Sequence, residues 1–244
     1  MTGSLTIAGL GPGDEALVTP EVSAALAAAT DVVGYAPYVA RVRARDGLTL
    51  HPSDNRVEMQ RAREALRLAA EGREVVVVSS GDPGVFAMAS AVFEALEQAP
   101  QWQELPIRVL PGVTAMLAAA ARAGAPLGHD FCAINLSDNL KPWPVIEKRL
   151  RLAAEADFAI AMYNPRSVSR PEGFARALAV LKQAGCGERL VIFARGVSAP
   201  DERIETLTLN DATPEMADMR TLVIIGNSQT RRVGRWVYAP RQAR

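Results

Sequence analysis

An aspartate among glycines, in the pentapeptide Ser80-Gly81-Asp82-Pro83-Gly84, follows a run of four valines (Val75 to Val78) and precedes an apolar helical stretch. Two more tight turns of this kind occur, Gly9-Leu10-Gly11-Pro12-Gly13-Asp14 and Pro111-Gly112-Val113-Thr114-Ala115. Glycine lets backbone approach a ligand closely, and carboxylates accept hydrogen bonds. Asp82 alone would serve as an ordinary turn former. Three such turns, each leaving an apolar strand, instead describe one side of a ligand cleft, because open α/β sheets bind ligands at strand carboxyl ends. The trio points to a nucleoside-type cofactor.

The known nucleotide signatures do not fit. A dinucleotide fingerprint needs glycine where Asp14 stands, Pro12 removes a backbone donor, and the ribose-binding acid should close the second strand. Asp31 opens that strand instead. The chain has no Gly-Lys-Ser/Thr of a P-loop and no Gly-x-Ser-x-Gly elbow. His51 and His129 fall in loop-like settings and read as structural or surface residues.

These turns need strands and helices to hold them. Leu5 to Leu10, Asp31 to Tyr35, Glu74 to Ser79 and Ile107 to Leu110 read as strands. Residues 20–29, 56–71 and 85–98 read as helices, the first with Thr19 as N-cap and Pro20 at the first helical position. Small and turn-forming residues cluster at 123–128, and the pattern then restarts. Strands are expected at 131–136, 158–162, 190–194 and 222–225, and helices at 145–156 and 173–184. Residues 203–209 alternate as a two-faced antiparallel strand does. The fold class is therefore α/β, with two domains, 1–118 and 119–244, and mostly parallel sheets. The basic tail from Arg231 to Arg244 reads as a solvated end.

Composition narrows the class further. The 244 residues are 49% hydrophobic and 22% charged, with net charge zero, so no global field favours nucleic acid or an anionic membrane. Cys132 and Cys186 with two histidines support neither a disulfide framework nor a metal site, and read as reduced thiols. No stretch offers the ~18 apolar residues of a membrane span. Without a basic leader or cleavage site before Leu5, a cytoplasmic protein is expected.

The three turns, in this order, resemble the N-terminal motifs of the tetrapyrrole methylases, and the resemblance spans nearly the whole chain. It implies two α/β domains with S-adenosylmethionine in the inter-domain cleft, S-adenosylhomocysteine as product, and a homodimer. Asn135 to Trp143, Ile146 to Leu150, and Tyr163-Asn164-Pro165-Arg166-Ser167 resemble the branch that methylates precorrin-3B at C17, and Gly34-Tyr35 and Tyr38 fit it too. Carried over by position, Pro12 lines the cofactor pocket. Ser80, Gly81, Asp82 and Val85 hold the methionine portion, Thr114 and Ala115 contact the cofactor, and Tyr163, Asn164 and Gly196 frame the adenosine. Gly226-Asn227-Ser228 is a weaker candidate.

The implied reaction is methylation of precorrin-3B at C17 with contraction of the macrocycle to precorrin-4. The rivals are the oxygen-independent counterpart acting on a cobalt-bearing precursor and a related precorrin methyltransferase with another methylation site. From another class, a non-catalytic corrinoid carrier would have no need of an intact methyl-donor pocket. A sulfonium is already an activated electrophile, so methyl transfer requires no covalent nucleophile. Contraction asks for a base, worth typically 10²–10⁴-fold; Asp82 or Asp138, partnered by Ser79 or Ser137, is the expectation, beside plain turn carboxylates. Substrate carboxylates call for basic residues. The candidates are Arg166, Arg195 and Lys141, with Arg41, Arg43, Arg45 and Arg170 behind them.

Overall fold

A computed structural model describes residues 3–242. The chain divides into two compact units, the first ending at Thr114 and the second beginning at Ala115. That is four residues before the expected boundary, because a helix starts at Ala115.

In the first unit, β1 (Ser4–Gly9), α1 (Pro20–Ala28), β2 (Asp31–Tyr35) and α2 (Ala36–Val39) lead to β3 (Thr49–Ser53). Then follow α3 (Glu58–Ala70), β4 (Glu74–Ser79), α4 (Met88–Glu97) and β5 (Ile107–Leu110). The five strands form one wholly parallel sheet in the order β3-β2-β4-β1-β5. The valine run shows why it is covered on both faces. Val75 and Val77 join Leu5, Ile7 and α3 residues Ala62, Ala65 and Leu66, whereas Val76 and Val78 join Ala8, Leu10 and α1 residues Val22 and Ala25. Side chains alternating at period two thus feed two cores. The Thr19 hydroxyl accepts the Val22 N–H at 3.3 Å, as expected of a cap before Pro20.

His51 corrects the sequence reading: it lies in edge strand β3, not a loop. Its Nε2 is 2.7 Å from the buried Asp31 carboxylate, which also accepts from Thr30 at 2.8 Å and faces Arg73 at 3.4 Å. Burial alone would push the Asp31 carboxyl up, but the His51 and Thr30 hydrogen bonds and the Arg73 charge win and lower it below the ordinary 3.8. A carboxyl lowered by folding stabilises the protein fully above its unfolded value, and that share is lost as pH falls through the folded value. Urea unfolding is therefore expected to show stability falling below about pH 4, with Asp31→Asn flattening the dependence and costing about 2 kcal/mol at pH 7. A parent-like acid limb in that variant would refute the assignment.

The second unit runs α5 (Ala115–Ala123), β6 (Gly124–Ala125), β7 (Phe131–Asn135), α6 (Trp143–Glu155), β8 (Ala159–Tyr163) and α7 (Gly173–Gln183). It continues with β9 (Leu190–Arg195), β10 (Arg203–Thr208), β11 (Thr221–Ile225), β12 (Arg231–Val233) and β13 (Trp236–Tyr238). Its main sheet has the order β10-β9-β11-β8-β7. The α/β class holds, but this sheet is mixed. β7 and β8 are parallel, while β8–β11, β11–β9 and β9–β10 are antiparallel. No helical crossover separates β9, β10 and β11 in sequence, and a parallel neighbour requires one. Ile160, Met162, Phe193 and Val223 pack under α6 and α7, with Phe174 edge-on to Phe193 at 5.9 Å.

The expected basic tail is instead a hairpin. β12 pairs with β13, β13 runs parallel to β6, and Val237 is buried. Arg244 lies outside the described residues. Cys132 and Cys186 are free thiols, both pushed up by burial. Among the described residues no helix is long and apolar enough to cross a membrane.

Candidate functional site

The three glycine turns leave β1, β4 and β5, which are adjacent in the first sheet, so all three stand side by side at its carboxyl edge. Gly11 and Gly81 exchange backbone hydrogen bonds, at 3.2 Å and 3.0 Å. The third turn is tied in through Asp82. One carboxylate oxygen accepts the Gly84 N–H at 2.8 Å, and the other accepts the Gly112 N–H at 3.0 Å. An ideal Cβ on Gly112 would lie 2.1 Å from the Gly81 carbonyl oxygen, and one on Gly9 would lie 2.5 Å from the same atom. Contacts that close are open only to glycine.

The three turns are thus packed backbone against backbone into one cradle. Pro12 and Val85 are half-buried on its turns, Ser80 follows β4, and Thr114 is buried at the end of the third turn. Ser79 is buried as the last residue of β4, opposite Gly9. With both oxygens committed to backbone donors, Asp82 is placed to position the turns. Sequence reading gave no such part to Arg41, whose guanidinium donates to the carbonyls of Leu10, Gly11 (3.0 Å) and Gly13 (3.1 Å) and so clamps the first turn. Arg45 likewise donates to the carbonyls of Leu26, Ala27 and Ala29 behind α1. Arg41 and Arg45, two of the further substrate candidates, are therefore occupied by the protein's own carbonyls.

In the second unit, β7, β8 and β9 end on one edge, since Asn135 pairs with Tyr163 and Arg195 lies opposite Thr221. The Asn135 carboxamide oxygen accepts from Ser137 N–H at 2.9 Å and from the Asn164 side chain at 3.0 Å, joining the loops after β7 and β8. Asn164 has φ 52°, a left-handed conformation that asparagine tolerates. The Tyr163 hydroxyl accepts the Met116 N–H at 3.1 Å, in the first turn of α5, which Ala115 opens. Asp138 is exposed, with one oxygen 4.0 Å from Arg170. Lys141 follows on the same loop, its ammonium lowered by burial and then by Arg149. Arg166 donates to the Pro171 carbonyl at 3.3 Å.

Arg195 is paired with two aspartates. It donates to Asp218 at 2.8 Å and to Asp201 at 3.1 Å. Asp201 also takes both ends of Arg220 and is held down at about 2, by the Arg220 bonds first. Gly196, with φ +56°, turns the chain beside this network. Gly226-Asn227-Ser228 lies at the opposite end of the sheet, where Ser228 bonds Asp157 and Asn227 bonds Thr230. It does not join the other candidates.

Known proteins similar to this chain share its fold. The family model described as tetrapyrrole (corrin/porphyrin) methylases matches residues 4–213. The chain is 52% identical over 247 residues to the precorrin-3B C(17)-methyltransferase of a Sinorhizobium species, covering 99% of this chain and 97% of that one. The crystal structure of the methyltransferase CobJ superposes with a TM-score of 0.96 at 68% identity, covering 98% of this chain and 100% of the other. A uroporphyrin-III C-methyl transferase from Thermus thermophilus, solved with S-adenyl homocysteine, shares the fold at 24% identity and TM-score 0.68, over 92% of both chains. Family model and relative both span most of the sequence, and the chain belongs to the tetrapyrrole methylase family.

Proposed function

We propose that the chain transfers a methyl group from S-adenosylmethionine to C17 of precorrin-3B and carries the ring contraction to precorrin-4, in cobalamin biosynthesis. The interlocked glycine turns carry this reading, supported by the likeness to the Sinorhizobium enzyme and to CobJ. When bound, the sulfonium supplies an activated methyl group. The chain's own part is positioning: bare backbone at Gly81 and Gly112 lets the ligand lie close, and Ser80, Val85, Thr114 and Ala115 fix its methionine end. Tyr163, Asn164 and Gly196 hold the adenosine. Holding nucleophile and methyl at about 3–3.5 Å and in line supplies much of the acceleration.

For contraction, Asp138 is better placed than Asp82 to take a proton, because it is exposed and both Asp82 oxygens already accept backbone bonds. Ser137 stands beside it. Lys141 and Arg166 are proposed for the substrate carboxylates; Arg195, paired with two aspartates, is the weakest of that set. The reading includes a cytoplasmic homodimer, which size-exclusion with light scattering addresses separately.

The test is incubation with methyl-labelled S-adenosylmethionine and precorrin-3B, followed by mass and NMR analysis. A contracted ring labelled at C17 is expected. Label elsewhere would move the enzyme to another methylation site. Turnover only of the cobalt-bearing counterpart would replace the substrate by that of the oxygen-independent route.

A further inference from the structure

One buried charge plays no part in the site described so far. Arg61, in the first turns of α3, is 5% exposed. Its Nε donates to the Ser53 hydroxyl and one Nη donates to the Asp54 carbonyl, both at 2.7 Å. The other terminal nitrogen faces only the Met88 sulfur, at 3.3 Å. A thioether is a weak acceptor. No described carboxylate lies within 4.0 Å; Glu58, one turn earlier, is the charge that favours the cation most. Burying a guanidinium without an anion is costly, so its retention implies an anion from elsewhere.

The surroundings say which anion. Ser53 and Asp54 close β3, and the Ser53 hydroxyl donates to Gly34, near the end of β2. Met88 follows the Asp82 turn after β4. Arg61 therefore stands at the same carboxyl edge as the glycine turns, on the β3-β2-β4 side, while the turns occupy β4-β1-β5. Tyr35 and Tyr38 meet edge-to-face there at 5.3 Å, offering ring surface next to a cation. Tyr38 is raised by burial and by Tyr35, against the pull of Arg41 and Arg61, which puts its hydroxyl within electrostatic reach of both.

Resting on the methyltransferase reading, we infer that Arg61 anchors one side-chain carboxylate of the tetrapyrrole, through the terminal nitrogen that now faces Met88. The flexible thioether yields its place, the carboxylate completes the ion pair, and Tyr35 and Tyr38 flank the ring. Arg61 is a specificity residue: it fixes which edge of the macrocycle enters beside the methyl donor.

The test compares Arg61→Met and Arg61→Lys with the parent. In Arg61→Met, KM for precorrin-3B is expected to rise at least about tenfold, the share of a charge-assisted pair, with kcat within a few-fold. Affinity for S-adenosylhomocysteine and Tm should stay near the parent's. Arg61→Lys, which keeps a charge but loses the fork, should recover part of the KM. Unchanged KM in Arg61→Met overturns the inference. So does a parallel loss of Tm, S-adenosylhomocysteine affinity and substrate affinity (a raised KM) in both variants alike, which would make Arg61 a clamp for the β3–α3 loop. Parent turnover tests the reading beneath it separately. If the parent turns over neither substrate, fluorescence titration with uroporphyrin III still compares parent and variant, and equal affinities there sink the anchor.

Discussion

Gly112→Ala is expected to eliminate measurable S-adenosylhomocysteine binding and to lower Tm by about 2–12 °C. The added methyl would sit 2.1 Å from the Gly81 carbonyl oxygen and 2.9 Å from Gly9 backbone. Those neighbours are backbone atoms of two other turns, so no rotamer change relieves the clash, and the turns must part. Overpacking of this kind costs about 1–3 kcal/mol or more, and each kcal/mol moves Tm by about 2–4 °C in a chain of this size. Gly47→Ala is the control. Its φ is +76° but nothing lies within 4 Å, so it carries only the left-handed penalty of about 1 kcal/mol and should bind normally. Calorimetry showing parent affinity in Gly112→Ala would remove the cradle from the binding site.

Asp82→Ala should weaken S-adenosylhomocysteine binding by about 10²-fold. Two backbone N–H groups lose a charged acceptor at once, each bond being worth about 1.5–3 kcal/mol. Asp82→Asn should rescue little. Its oxygen can satisfy Gly84 or Gly112, but its amide then points a donor at the remaining donor. A different result would change the carboxylate's role. If Asp82→Asn bound S-adenosylhomocysteine normally and released methylated, uncontracted product, Asp82 would be the base that contraction needs.

Much of this was readable in the sequence where one force dominates. The Val75–Val78 run announces a doubly covered strand, and glycine with proline or aspartate announces the turns beyond it. Edge strand β3 was hidden because His51, Pro52 and Ser53 are poor strand markers; proline is tolerated there because an edge leaves some donors unpaired. The alanine-rich α5 is a helix that was not expected, since its Gly and Pro flanks dominate the local signal. Charge hid the β12–β13 hairpin, whose pairing depends on a distant dipeptide, β6. Arg61 had a faint signal. It is four residues before Ala65 and five before Leu66, in the buried phase of α3, where a charge is out of pattern. What no spacing could reveal is that Arg41 and Arg45 are taken by carbonyls of turns and helix ends brought to them by the fold.

The cradle is assembled from three segments that never meet along the chain, and this sets an order of events. Gly9 is synthesised first, and Gly112 only after all five strands of the sheet have emerged. Contacts between segments so far apart are slow to form, and here the last strand delivers the final wall. On the proposed reading, no nascent chain shorter than this captures the methyl donor. A cell starved of the donor would therefore lose its assistance at the last step of folding, when ligand binding adds RT ln(1 + [L]/Kd) to the stability of the finished domain.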